Sequence, residues 1–153
     1  MILTIWRHGE AEGGPIDRSR ELTNSGCDDI GFGSRQFHSA CSTRGIPHPD
    51  IILYSPWVRT EQTAKIIAAA YTHASASADM ALQPGSDLDA VDVALSGVAA
   101  SNPEVKHLLA VSHQPLVSRL VDHYLGEAGI VPSLSPGGLV TLSLELFEPA
   151  CAS

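Results

Sequence analysis

With 153 residues, 44% of them hydrophobic, the chain has the length of one compact domain with a buried core, and a single domain over residues 1–153 is the expectation. Nine Lys and Arg against seventeen Asp and Glu give a formal net charge of −8, which argues against a nucleic-acid partner; any anion site must gather the few arginines in one place. The apolar run over 1–6 has no basic leader and stops at Arg7, short of a signal peptide or a bilayer span, so a cytoplasmic protein without a membrane partner is expected.

The run over 2–6 reads as a buried strand and ends in Arg7-His8-Gly9-Glu10. A helix is predicted over 22–43, with Gly26, Gly31 and Gly33 weakening its continuity. Cys27 and Cys41 within it, and Cys151 near the end, lack C-x-x-C spacing and read as buried or incidental thiols. A second strand over 51–54 is followed by Ser55 as helix cap and Pro56 at the first helical position, with a helix over 57–71. The Ala/Ser stretch over 73–78 reads as a loop or frayed helix end. A third strand over 107–111 leads through Ser112-His113-Gln114-Pro115 into a helix over 116–125, and a Pro136-Gly137-Gly138 turn precedes an alternating strand over 139–146.

Strands alternating with helices predict an α/β domain, three layers deep, with a mostly parallel central sheet and helices on both faces. In such sheets ligands bind beyond the carboxyl ends of the strands. The residues delivered there are Arg7 and His8 after the first strand, Arg59 after the second, and His113 after the third.

That set suits phosphoryl transfer, in which donors around the phosphoryl oxygens supply most of the stabilisation. Arginine carries a fixed fork of donors, and a neutral imidazole can attack phosphorus if its other nitrogen is held by an acceptor. His8 is the candidate nucleophile, Arg7 and Arg59 are candidate phosphate clamps, and His113 is a further donor. Gly9 lets the backbone approach closely beside His8. Each residue taken alone has a plain structural reading, Arg59 as an exposed helix residue and His113 as a core-edge histidine; their coincidence at equivalent strand ends carries the functional one.

Arg7-His8-Gly9 after the first strand resembles the signature of the histidine phosphatase, or phosphoglycerate mutase-like, superfamily. The resemblance extends to Asp17-x-x-Arg20-x-Leu22-Thr23-x-x-Gly26, to Ser55-Pro56-x-x-Arg59-x-x-Gln62-Thr63-Ala64, and to Val111-Ser112-His113-x-Pro115, in the family's order and approximate spacing. The short length and the segment after Ser112 look most like the SixA-type phosphohistidine phosphatases. The resemblance implies a phosphoglycerate mutase-like fold, a phosphorylated His8, and a pocket completed by Arg7, Arg59 and His113. Arg20 matches a family position near the pocket mouth, where it binds phosphate, orients a protein substrate or pairs with Asp17 beside a helix.

Many members of the superfamily place a glutamate between the second arginine and the second histidine to protonate the leaving alkoxide, a feature that SixA-type members lack. Here Asp87 is the candidate acid, with a solvated loop carboxylate as the alternative reading. Imidazole, with an unperturbed pKa near about 6.5, leaves without such help. The expected activity is therefore removal of phosphate from a histidine-phosphorylated phosphotransfer or phosphocarrier protein. A small-molecule phosphomonoesterase of the same superfamily and a non-catalytic phosphoprotein-binding module are the alternatives, and a monomer is favoured.

His38, His48, His73, His107 and His123 are read as loop or helix-surface residues without metal-ligand spacing, so neither a metal nor an organic cofactor is expected. Trp57 packs at a helix start or lines a peptide-binding face. Glu12 reads as solvated, with Glu10 open between pocket rim and solvent. No nucleotide-phosphate loop, dinucleotide fingerprint or C-x5-R cysteine phosphatase motif is present.

Overall fold

The computed structural model describes residues 1–145. Five strands, β1 (Ile2–Arg7), β2 (Ile51–Tyr54), β3 (Ser75–Ala78), β4 (His107–Ser112) and β5 (Leu139–Ser143), form one sheet in the order β3-β2-β4-β1-β5. The first four run parallel, and β5 is antiparallel to β1. Four helices flank them: α1 (Asn24–Arg44), α2 (Val58–Ala68), α3 (Leu88–Ser101) and α4 (Leu116–Leu125). This is the phosphoglycerate mutase-like α/β architecture. No helix among the described residues is long and apolar enough to cross a membrane.

The period-two alternation of strand side chains splits the core into two layers. Leu3, Ile5, Leu53, Leu108 and Ala110 turn to the face where Val91 and Leu95 of α3 and Leu116, Val117, Leu120, Val121 and Tyr124 of α4 pack. Trp6, Ile52, Leu109 and Val111 turn to the other, meeting Ile30, Phe37 and Cys41 of α1 and Ala64 and Ile67 of α2. β1 and β4 are neighbours, yet the helices that follow them leave to opposite faces. A crevice therefore opens between their carboxyl ends, the topological switch point of the sheet.

Several local expectations are corrected. α1 runs unbroken through Gly26, Gly31 and Gly33, capped by Thr23, whose hydroxyl accepts from Gly26 N at 2.8 Å. Gly26 serves packing: a Cβ there would collide with the Glu10 carbonyl oxygen. Gly26→Ala should therefore lower stability by about 3 kcal/mol; an unchanged midpoint in urea unfolding would contradict this contact.

α2 begins at Val58 rather than 57, with Trp57 at the cap position, and ends at Ala68 rather than 71. The Ala/Ser stretch is not a loop but the edge strand β3, because the free side of β2 supplies its backbone partners. α3 was not anticipated. The final strand ends at Ser143; Leu146, within the expected span, lies outside the described residues, as does Cys151. Cys27 and Cys41 are free thiols, and Cys41 is buried.

His107 is not on a loop or helix surface: it opens β4 with no exposed area. Its Nδ1 meets the Pro47 carbonyl at 2.6 Å and its Nε2 the Thr4 hydroxyl at 2.8 Å, and that hydroxyl reaches Thr141 at 2.8 Å. Since a carbonyl only accepts, Nδ1 carries the proton and Nε2 accepts from Thr4. Burial, opposed by the Pro47 hydrogen bond, lowers the His107 pKa.

Candidate active site

His8 leaves β1 at the switch point. Its backbone N–H donates to the Ser112 carbonyl at 3.1 Å, and its carbonyl accepts from Gly137 N at 2.9 Å, so strand β4 and the loop before β5 hold it from two sides. Gly9 packs against α1, where a Cβ would stand 2.9 Å from Ile30 Cγ1. Its N–H donates to Thr63 Oγ1 at 3.2 Å, and the Thr63 hydroxyl donates to the Arg59 carbonyl at 2.7 Å, tying the histidine loop to α2.

The His8 ring has a defined tautomer. Nδ1 lies 2.7 Å from the Gly9 carbonyl and must be the protonated nitrogen. Nε2 thus presents a lone pair, which accepts from Arg59 Nε–H at 3.3 Å. Burial, then the charges of Arg59, Arg7 and Arg20, push the His8 pKa down to about 4, so the ring is neutral at physiological pH.

His113 lies beside it, ring centroids 5.2 Å apart and edge to face. Its Nε2 meets the Ser55 hydroxyl at 2.7 Å, while its Nδ1 is buried without a partner. Burial, followed by the charges of Arg59 and His8, pushes its pKa to about 3. Arg7 anchors one end of its guanidinium on the Leu134 carbonyl at 2.9 Å, leaving Nε buried and unpartnered. Burial lowers the Arg7 pKa from its ordinary high value. The neutral His8 imidazole is thus flanked by arginine and histidine side chains that keep unpartnered nitrogens, a set of groups suited to an anion.

Arg59 is the centre of the arrangement, with its side chain 6% exposed. Besides His8 it contacts Asp17 twice, through Nη1 to the backbone carbonyl at 2.8 Å and through Nη2 to Oδ2 at 3.2 Å. Arg20 takes the other carboxylate oxygen of Asp17 at 3.0 Å and donates from Nε to the Glu12 carbonyl at 2.6 Å. Burial pushes the Asp17 carboxyl upward, but hydrogen bonds from Arg20 and Arg59 outweigh it and hold the pKa below its ordinary value.

The structure thus brings His8, Arg7, Arg59, His113 and Arg20 to one place. Asp87 stands elsewhere in role: exposed, it caps α3, accepting from Ala90 N at 2.7 Å. Glu10 Oε1 accepts from the Thr23 hydroxyl at 2.9 Å. Trp57 is half-buried, in edge contact with His113 at 6.1 Å, with the Arg18 guanidinium 4.8 Å from its ring centre. Among the described residues no cluster of three or more His, Cys, Asp or Glu could hold a metal ion.

Sequence reasoning left Thr63 and Gln62 without a role and read Ser55 as a helix cap, a position that Trp57 takes instead. Ser55 orients His113, Thr63 joins Gly9 to Arg59, and Gln62 Oε1 takes the Leu22 N–H at 2.8 Å, fastening the loop before α1 to α2. All three lie inside the motif around Arg59, and that membership was the available signal.

No family model and no curated protein matches the sequence. Solved structures do. The chain is similar to the protein histidine phosphatase SixA complexed with tungstate, at 27% identity over 94% of this chain and 88% of that one, with a TM-score of 0.77. A chain described as phosphohistidine phosphatase SixA from Agrobacterium tumefaciens is 22% identical over 94% and 91%, TM-score 0.75. A mycobacterial glucosyl-3-phosphoglycerate phosphatase is 16% identical over 99% and 94%, TM-score 0.74. The latter two bear on the fold alone.

Fold and pocket are those seen in phosphatases of the histidine phosphatase superfamily, to which the solved structures similar to this chain belong. Within that superfamily the chain is SixA-like.

Proposed function

We propose that the protein removes phosphate from a phosphohistidine on a partner protein, a phosphotransfer domain or phosphocarrier, through a phospho-His8 intermediate. His8 Nε2 attacks phosphorus in line, and the bond to the substrate imidazole breaks as the new N–P bond forms, the substrate ring leaving as neutral imidazole because its far nitrogen already carries a proton. Water then cleaves the phospho-His8 bond, releasing inorganic phosphate and restoring the neutral ring. Arg59, Arg7 and Arg20 donate to the phosphoryl oxygens, and Nδ1–H of His113 adds a neutral donor once its Nε2 accepts from Ser55.

The observation that carries this reading is the commitment of the neighbouring carboxylates. Asp17 is held ionised between two arginines, Glu10 is bonded to Thr23, and Asp87 caps a helix. A site furnished this way suits a leaving group that departs without a proton donor, as imidazole does and an alkoxide does not. The similarity to the SixA structure bound to tungstate, a tetrahedral oxyanion like phosphate, points the same way. Exposed Ile16 and Met80 and half-buried Trp57 lie in the connections that leave the carboxyl ends of β1, β3 and β2, apolar side chains that a protein surface can cover. We further propose that the chain acts as a single domain.

The test is turnover in metal-free buffer of a phosphohistidine-bearing phosphotransfer protein beside alkyl and aryl phosphates. Phosphohistidine should be lost at least about 100-fold faster than the alkyl ester. Equal or faster cleavage of the alkyl ester would turn the assignment toward a small-molecule phosphomonoesterase, and activity on none of them toward a binding module.

A further inference from the structure

The edge of the Arg59 guanidinium formed by Nε and Nη2 is the one turned toward His8. Nε donates to His8 Nε2 at 3.3 Å and Nη2 to Asp17 Oδ2 at 3.2 Å. A phosphoryl group in line with His8 Nε2 has to lie against this same edge, because a side-on arginine binds an oxyanion through those two donors. Asp17 Oδ2 therefore occupies a position that a phosphoryl oxygen needs. The other end of Arg59 is anchored independently, by Nη1 on the Asp17 backbone carbonyl at 2.8 Å, so the arginine keeps its place when the carboxylate lets go. The carboxylate has somewhere to go: its side chain is 56% exposed, and its other oxygen is already paired with Arg20 at 3.0 Å.

We propose that Asp17 is an internal stand-in for the phosphoryl group, occupying the Arg59 fork in the free enzyme and returning to it to help expel product phosphate. The proposal rests on the phosphatase reading of the pocket and assigns Asp17 a positioning role, setting how tightly that pocket holds an oxyanion. One negative charge gives way to the greater charge of a phosphoryl group on substrate binding, and the exchange reverses when phosphate departs. The arrangement trades affinity for release, which favours an enzyme whose product would otherwise remain on three arginines.

The consequence has a sign that an ordinary supporting ion pair would not produce. Removing the Asp17 charge should tighten binding of inorganic phosphate, because the competitor for Arg59 is gone and the pocket becomes more positive. Calorimetric titration with inorganic phosphate should give a dissociation constant roughly tenfold lower for Asp17→Asn than for wild type. Turnover should become more sensitive to phosphate inhibition, with KM falling and kcat not rising. Asp17→Glu, which keeps the charge, should stay within about twofold of wild type, and Asp17→Ala gives the same reading as asparagine if that variant folds poorly. Weaker or unchanged phosphate binding in both neutral variants overturns the proposal while leaving the phosphatase reading intact. Phosphate binding that is indifferent to Arg59→Ala overturns the pocket itself, and this proposal with it.

Discussion

Alanine at position 8 should reduce turnover of phosphohistidine by a factor on the order of 10,000 or more, while inorganic phosphate still binds within a few-fold of wild type. The two halves of this expectation come from different atoms. His8 Nε2 supplies the electron pair that forms the bond to phosphorus, and no neighbouring group offers an equivalent: His113 Nε2 is turned to Ser55 and the carboxylates are engaged by arginines, a hydroxyl or a helix end. In the proposed mechanism the oxyanion, by contrast, is held by Arg7, Arg59 and Arg20, which remain. Single-turnover kinetics with mass-spectrometric detection of an acid-labile phosphate on His8 would check both halves. A phosphorylated intermediate that persists in His8→Ala would remove this residue from the mechanism.

The second large expectation concerns acid. His8 and His113 are neutral in the folded protein, with pKa values pushed down to about 4 and about 3, whereas in the unfolded chain each returns to near 6.5. A base whose pKa is depressed by folding costs nothing above pH 6.5. As pH falls below that value the unfolded state takes up protons that the folded state refuses, and stability drops until the folded pKa is reached. Each such histidine contributes a slope of up to about 1.4 kcal/mol per pH unit, so the pair together should lose on the order of 3 kcal/mol between pH 6.5 and pH 5. Buried His107, with its pKa also lowered, adds to the loss in the same direction. Chemical denaturation across this range should show the fall, and replacing both His8 and His113 by asparagine should remove most of it, leaving the part due to His107. A stability profile level from pH 6.5 to 5 would mean that these rings take up protons without hindrance in the folded state.

Much of the frame was legible because it is written in apolar runs with clear punctuation. β2 and α4 occupy the residues expected, and β1 and β4 each extend one residue further. β3 escaped because Ser-Ala-Ser-Ala, although it alternates, lacks the bulky and β-branched side chains that mark a strand; it is a strand because the edge of β2 lies beside it, and that neighbour is visible only in three dimensions. α3 escaped although Asp87 as cap, with Val91 and Leu95 one turn apart, is a fair helix signature. The pocket residues were legible as motifs. Their tautomers and pairings were not, since the grip of Asp17 on Arg59 depends on how a loop of more than a dozen residues returns across the crevice.

β1 and β4 pair in parallel register, with Arg7 opposite Ser112 and therefore His8 and His113 each one step beyond the last rung. The separation of the two rings is consequently set by main-chain hydrogen bonds between central strands, more than by the packing of any helix. Loops at the rim, including the stretch that carries Ile16, Asp17 and Arg18, can vary in length and composition without altering that separation. Substitutions along that rim can therefore change what docks there while the reactive pair keeps its spacing.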